Sequence, residues 1–237
     1  MPLFALLLMI GVGLFWVLTY VLAIRQGFKD RTYGIPLTAL CANLSWEAIF
    51  VFLYPPALLL RLVILAWFAL DLVILYQALR YGPDEFPEVG RRTFYVAFGL
   101  TLVTAFCLVL FISWEFEDLQ GSYAAFGSNL LMSVLFLLLP YRRGSLRGQS
   151  LGIAVCKLLG TAMASLAFFL YVERFRGSAL MYFLYASIFV YDLLYVVEVW
   201  TRARARQSAA GEALEVQAPL GAQALEVARA RASSNGS

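Results

Sequence analysis

The chain has 237 residues, of which 62% are hydrophobic, 16% aromatic and only 14% charged; an ordinary soluble domain carries about 25% charged residues. That leaves too few polar side chains to cover a soluble core, which excludes an ordinary soluble enzyme, a disordered regulator and a nucleic-acid-binding module. The formal net charge is only +3 and histidine is absent, so nothing points to a polyanionic partner, and a Ser-His-Asp triad, a His-ligated metal and a His-ligated haem are ruled out.

Seven apolar segments come near the roughly 20 residues that span a bilayer. They cover 2–24, 36–53, 57–79, 93–113, 122–140, 150–172 and 179–200. The first has no Lys or Arg before it and an apolar run longer than a signal peptide's core, so it reads as a retained helix. Gly27 and Gly34 follow it. Pro55-Pro56 closes the second segment, and Gly82, Pro83, Pro87 and Gly90 follow the third. Gly121, then Gly144 and Gly148, then Gly177 mark the remaining breaks. The expected fold is all-α: a polytopic bundle of seven transmembrane helices over residues 1–200, with 201–237 as a mobile tail rich in Ala, Glu, Arg and Ser. No internal repeat is visible, which counts against transporters built from duplicated halves. Cys41, Cys107 and Cys156 lie far apart in apolar runs and read as small buried residues.

Basic residues set the orientation. Fourteen of the eighteen lie in alternate loops and the tail, against Arg61, Arg174 and Arg176 on the other side and Lys157 within the sixth segment. This bias places the C-terminus in the cytoplasm and the N-terminus outside.

A carboxylate at membrane depth is costly, usually faces the bundle interior and marks function. Three qualify. Glu47 lies about eleven residues into the second segment, Asp71 about fourteen into the third and Asp192 about thirteen into the seventh, all near the midplane at about 1.5 Å per residue. All three are placed to line one cavity. Asn43 sits one turn before Glu47 on the same face, with Leu40, Phe50 and Tyr54 near that stripe. Trp67 and Phe68 precede Asp71 by a turn, and Tyr185, Phe189 and Tyr195 share the face of Asp192. Burial among rings favours the neutral, proton-bearing form of a carboxyl, and aromatic faces attract a neighbouring cation.

Structural readings stand beside these. Asp71 serves equally well as a hydrogen-bonding group between helices. Lys157 has two alternatives: a buried ion pair with Glu47, or a side chain that snorkels to the interface. Glu198 reads as interfacial, and Glu115, Glu117 and Asp118 as a solvated outer loop. The Gly160-x-x-x-Ala164 spacing reads as helix packing.

The stretch Asn43-Leu-Ser-Trp46-Glu47 resembles the asparagine-x-x-tryptophan-glutamate signature of the small integral-membrane terpene cyclases. These act in fungal meroterpenoid and indole-diterpene pathways, with bacterial relatives acting on prenylated indole alkaloids. Trp67-Phe-Ala-Leu-Asp71 resembles that family's helix-three acidic motif. Gly148-Gln149-Ser150 with Lys157 and Gly160-Thr161 resembles its helix-six motif, and Ile188-Phe-Val-Tyr-Asp192-Leu-Leu-Tyr195 its helix-seven aspartate motif. The resemblance spans residues 30–200, and four motifs fall in the family's order.

The resemblance implies that Glu47 and Asp192 are the essential acids. The expected activity is a protonation-initiated cyclisation of a lipophilic prenylated substrate, with no metal, organic cofactor, nucleic acid or obligate protein partner. The expected setting is a bacterial cytoplasmic membrane or a fungal endoplasmic reticulum. No DDxxD-like run is present to hold magnesium on a diphosphate, and the DxDD motif of soluble protonating cyclases is missing. In this reading Glu47 gives the proton, Asp192 holds the donor or stabilises positive charge, and Asn43 orients Glu47. Trp46, Phe50, Asp71, Tyr185, Phe189 and Tyr195 contact the substrate. The rival reading is a seven-helix transporter or proton-coupled carrier that uses the acids as a relay. A retinal protein fits poorly, because residues 188–199 hold no lysine and Lys157 lies in the sixth segment.

Overall fold

The computed structural model describes the backbone of residues 2–234 and the side chains of residues 2–208. The chain divides into two units, Met1–Val199 and Trp200–Ser237. Of the expected mobile tail, 201–237, the backbone as far as Ser234 is helical, and the side chains after residue 208 lie outside the described residues. Every regular element described is a helix: α1 (Leu3–Asp30), α2 (Leu37–Ala48), α3 (Leu58–Tyr81), α4 (Arg91–Glu115), α5 (Ser122–Arg143), α6 (Leu151–Tyr171) and α7 (Ala179–Ser234).

Each expected segment coincides with one helix. Six of the seven are long and apolar enough to cross a membrane. The exception is α2 with its continuation, Leu37–Leu53. It reaches only about 25 Å at 1.5 Å per residue, against a hydrocarbon layer of about 30 Å.

The helix ends follow from local chemistry. Arg31 turns left-handed after α1 (φ 51°), and its N–H bonds back to Gly27 and Phe28. The Ser150 side chain caps α6 by accepting from the Ile153 N–H at 3.3 Å. Gly144, at φ 62°, closes α5 after Arg142 and Arg143 in its last turn. Past Ala48, α2 widens into a π turn, Ile49–Leu53, which stops at Pro55-Pro56, where two backbone donors are missing.

The distribution of polarity is inverted relative to a soluble protein. Leu58, Leu59, Val96 and Leu100 stand on the outside, while Glu47, Asp71, Lys157 and Asp192 are buried. Such a surface suits lipid. Inside, close helix contact rests on small residues. A Cβ added to Gly160 would lie 3.1 Å from Trp16, and one added to Gly11 would lie 2.3 Å from the sulfur of Met163. The Gly160-x-x-x-Ala164 stripe is therefore a face against which α1 packs on α6.

Two sets of loop contacts tie the ends. At one end Arg143 bonds Glu85 (3.0 Å), the Thr32 hydroxyl (2.8 Å) and the Tyr33 carbonyl (3.1 Å), and Arg147 bonds the carbonyls of Asp30 and Arg31. The Tyr33 hydroxyl accepts from Arg142 at 2.6 Å, and burial pushes that phenol's pKa up. At the other end Arg174 bonds the carbonyls of Phe116 and Glu117. Asp118, expected to be solvated, is buried. Its carboxylate accepts from the Tyr123 N–H at 2.9 Å, because the first turn of α5 leaves donors unpaired.

Arg143 and Glu85 form a buried pair with side chains 6% and 5% exposed. Breaking such a pair costs about 3–5 kcal/mol. Arg143→Gln should therefore lower the thermal unfolding midpoint in detergent. Arg91→Gln breaks an exposed pair with Asp84 and should cost no more than about 1 kcal/mol.

Candidate active site

Three helices converge on the first polar cluster. α2 presents Asn43 and Glu47 one turn apart, α1 presents Tyr20 and α3 presents Asp71. The Tyr20 hydroxyl lies 3.2 Å from Glu47 Oε1 and 3.3 Å from Asp71 Oδ2. It accepts from Asn43 Nδ2 at 2.9 Å. Holding one proton, it donates to one carboxyl at a time. Glu47 and Asp71 are 2% and 0% exposed, and Glu47 Oε2 and Asp71 Oδ1 have no hydrogen-bond partner. Two carboxyls around one hydroxyl repel when both are charged, and a retained proton relieves that repulsion.

The π turn begins two residues after Glu47 and buries three successive side chains, Ile49, Phe50 and Val51. Trp46 donates its Nε1–H to the Gly121 carbonyl at 2.8 Å and packs on Phe50, ring centroids 5.0 Å apart. Gly121 has φ 70°, and a Cβ there would lie 2.1 Å from the Phe50 ring. Trp46 and Phe50 thus brace the turn between α4 and α5.

The second cluster joins α5, α6 and α7. Asp192 is fully buried. Its Oδ1 lies 2.5 Å from Lys157 Nζ and its Oδ2 accepts from the Thr161 hydroxyl at 2.6 Å. Lys157 also donates to Ser133 Oγ at 2.7 Å and lies 5.7 Å from the Phe136 ring centroid. Lys157 therefore pairs with Asp192. It neither pairs with Glu47 nor snorkels, because a buried ammonium gains most from an opposite charge within reach.

Along α7 the buried positions are Met181, Leu184, Tyr185, Ile188, Asp192, Tyr195 and Val199, which recur three and four apart as one helix face requires. Phe189 is 48% exposed and is corrected to the outer face, about 100° around the helix from Ile188. Tyr195 packs on Phe136, centroids 5.3 Å apart, and its hydroxyl bonds Gln149. Tyr185 stacks edge-on against Phe126, its hydroxyl unpartnered.

The two clusters are joined by packed side chains: Tyr20, Met132, Phe136 and Tyr195 belong to one buried apolar cluster. Two cavities stand out, and neither is lined by these acids. One, of about 450 Å³, lies among Glu85, Phe86, Arg142, Arg143, Ser145 and Arg147. The other, about 320 Å³, runs along Ala186, Ser187, Val190, Tyr191 and Leu194. The three acids fall into two polar clusters, and an apolar cluster holding Tyr20, Phe136 and Tyr195 packs between their helices.

Tyr20 and Ser133 were not singled out from sequence, and Thr161 entered only as part of the helix-six resemblance, with no role given to it. Thr161 follows Lys157 by one helical turn, which is a readable signal. Tyr20 is a phenol deep in an apolar run, which is a weaker one. Ser133 carries no local signal, since its partner lies on another helix.

A family model described as Pyr4-like transmembrane terpene cyclases matches residues 2–205. The terpene cyclase macJ of Penicillium terrestre is 31% identical over 76% of this chain and 78% of its own. The terpene cyclase penB of Penicillium crustosum is 32% identical over 70% and 72%. The Pyr4-family terpene cyclase mfmH of Annulohypoxylon moriforme is 30% identical over 68% of each chain. No solved structure matches.

Tyr20→Phe removes the donor between two buried carboxyls and should destabilise the folded protein by about 1–3 kcal/mol. The adjacent Thr19 bonds only the Phe15 carbonyl of its own helix, so Thr19→Val should cost less than Tyr20→Phe. Thermal unfolding of both variants in one detergent checks this; equal losses would remove Tyr20 from the site.

Proposed function

The chain belongs to the Pyr4-like transmembrane terpene cyclases, and from that premise we propose that Glu47 starts the cyclisation by protonating a prenylated aromatic or alkaloid substrate. The observation that carries this reading is the Glu47–Tyr20–Asp71 cluster: a buried carboxyl with a free oxygen, beside a second acid and without a cation to neutralise it.

The proton leaves Glu47 for the oxygen of a terminal epoxide or the carbon of a terminal alkene. In the epoxide the C–O bond opens as the proton arrives; in the alkene the π pair takes the proton. Either event leaves a cation that internal double bonds attack in turn. A proton is lost at the end, so the product is an isomer of the substrate. Asp71 and Tyr20 lie where they can return a proton to Glu47, and Asn43 fixes the phenol between the acids. The apolar cluster between the two polar sites parts around the prenyl chain and excludes the water that would quench the cation. Tyr185 and Tyr195 supply aromatic faces toward it. Asp192 is the second essential acid.

The same reading places seven spans in the membrane, N-terminus outside and C-terminus in the cytoplasm. The bias of Lys and Arg supports it. α2 then crosses with help from the Tyr54–Pro56 stretch or from local thinning of the bilayer. The membrane is a bacterial cytoplasmic membrane or a fungal endoplasmic reticulum. The lipophilic substrate reaches the protein from the bilayer, and no further protein is required. Transport by an acid relay does not account for relatives named as cyclases.

Purified protein in detergent, given farnesylated or geranylgeranylated aromatic compounds with and without a terminal epoxide, should yield products of unchanged mass and new retention time. Glu47→Gln and Asp192→Asn should lower turnover by about a hundredfold or more while substrate still binds. Unchanged turnover in Glu47→Gln would remove it as the donor. Asp71→Asn separates two roles: a larger fall in turnover per folded molecule than in melting temperature places Asp71 in the reaction, and the reverse makes it structural.

A further inference from the structure

We propose that Lys157 is a positioning residue that keeps Asp192 a carboxylate, so that the α7 acid meets positive charge on the substrate and is not a proton donor. This rests on the reading of Glu47 as the donor and divides the labour between the two acids.

The two clusters differ in one respect. Both oxygens of Asp192 are engaged by donors, Lys157 Nζ at 2.5 Å and the Thr161 hydroxyl at 2.6 Å. Thr161 can satisfy its own proton on the Lys157 carbonyl at 2.7 Å, so the Lys157 contact is what distinguishes this carboxyl. Lys157 is itself fully buried, and a buried ammonium needs a counter-charge. Its other neighbours are the Ser133 hydroxyl and the Phe136 ring, and neither carries charge. The remaining titratable group beside Asp192 is Tyr195, whose hydroxyl is committed to Gln149. Asp192 is therefore the anion that Lys157 requires. Around Glu47 and Asp71 the arrangement is the opposite. Both acids share one phenol, which Asn43 holds from its other side, and Glu47 Oε2 and Asp71 Oδ1 receive no donor. One cluster sets its acids against neutral donors, and the other sets its acid against an ammonium.

Without Lys157, Asp192 would lose the only cation bonded to it among the described residues. The loss would fall on turnover, because the carboxylate matters once positive charge has formed.

Infrared difference spectroscopy of the full chain in detergent reads the protonated-carboxyl C=O band directly. In the wild type, Asp192→Asn should remove no such band. Lys157→Met should add one, and Lys157→Met/Asp192→Asn should lack it. In turnover assays Lys157→Met should lose about tenfold to a hundredfold in kcat with little change in KM, and Lys157→Arg should recover part of the loss. The neutral double variant should regain melting temperature without regaining kcat. A wild-type band that Asp192→Asn abolishes would overturn the proposal, and so would recovery of both stability and kcat in the double variant. If Lys157→Met does not fold, the comparison of wild type with Asp192→Asn still decides. Full turnover in Glu47→Gln would instead overturn the donor assignment, and the band of Asp192 would stand apart from that result.

Discussion

Four ionisable side chains sit inside an apolar bundle, and the cost of dehydrating them governs the arrangement of the helices. An isolated charge in such surroundings is prohibitive, so each of the four must find a partner on another helix. Lys157 and Asp192, with Ser133, bind α5, α6 and α7 into one group. Glu47 and Asp71, with Tyr20 and Asn43, bind α1, α2 and α3 into another. The apolar cluster that holds Tyr20, Phe136 and Tyr195 lies against both. Polar contacts carry this load because lipid tails are as apolar as leucine, so helices in a membrane gain little from burying leucine against leucine. Close approach at Gly160 and Gly11 and the ionic ties between loops supply the rest.

The way charge is satisfied in the two groups also sets what each can do. A carboxylate matched by an ammonium is stable as an anion. A carboxyl that shares a phenol with another carboxyl is stable only if a proton remains in the set. A cation-generating reaction needs one of each: a source of the first proton, and a negative wall for the charge that follows. In the proposed division of labour the two come from different helices, Glu47 from α2 and Asp192 from α7.

Much of the fold was legible in the sequence because a bilayer writes its requirement as long apolar runs. All seven expected segments coincide with helices, with breaks at the glycine and proline signals. α2 shows where length mattered: its run is apolar on the whole but shorter than the others. The acids Glu47, Asp71 and Asp192 were readable because charge is rare in such runs. Their partners were not. Which acid Lys157 meets depends on helix rotation and neighbour order, and a sequence states neither. Phe189 lies one residue from the buried Ile188, and that single step moves a ring from the interior to the outer surface. Asp118 looked like part of a solvated acidic loop, yet it satisfies the start of α5. Tyr20 lay in a helix whose other features spoke only of spanning.

The π turn at Ile49–Leu53 has a consequence for how this chain can vary. An α-helix advances about 100° per residue. The wider turn at Ile49–Leu53, where Ile49, Phe50 and Val51 are buried, holds one residue more than an α turn. Deleting a single residue there would let the stretch relax to ordinary helix. Everything from Phe50 onward would then swing around the axis relative to Glu47, and the ring seated on Gly121 would leave its place. The length of this five-residue stretch is therefore constrained as tightly as the identity of the acid before it, and a one-residue gap here would change the shape of the site without altering any side chain in it.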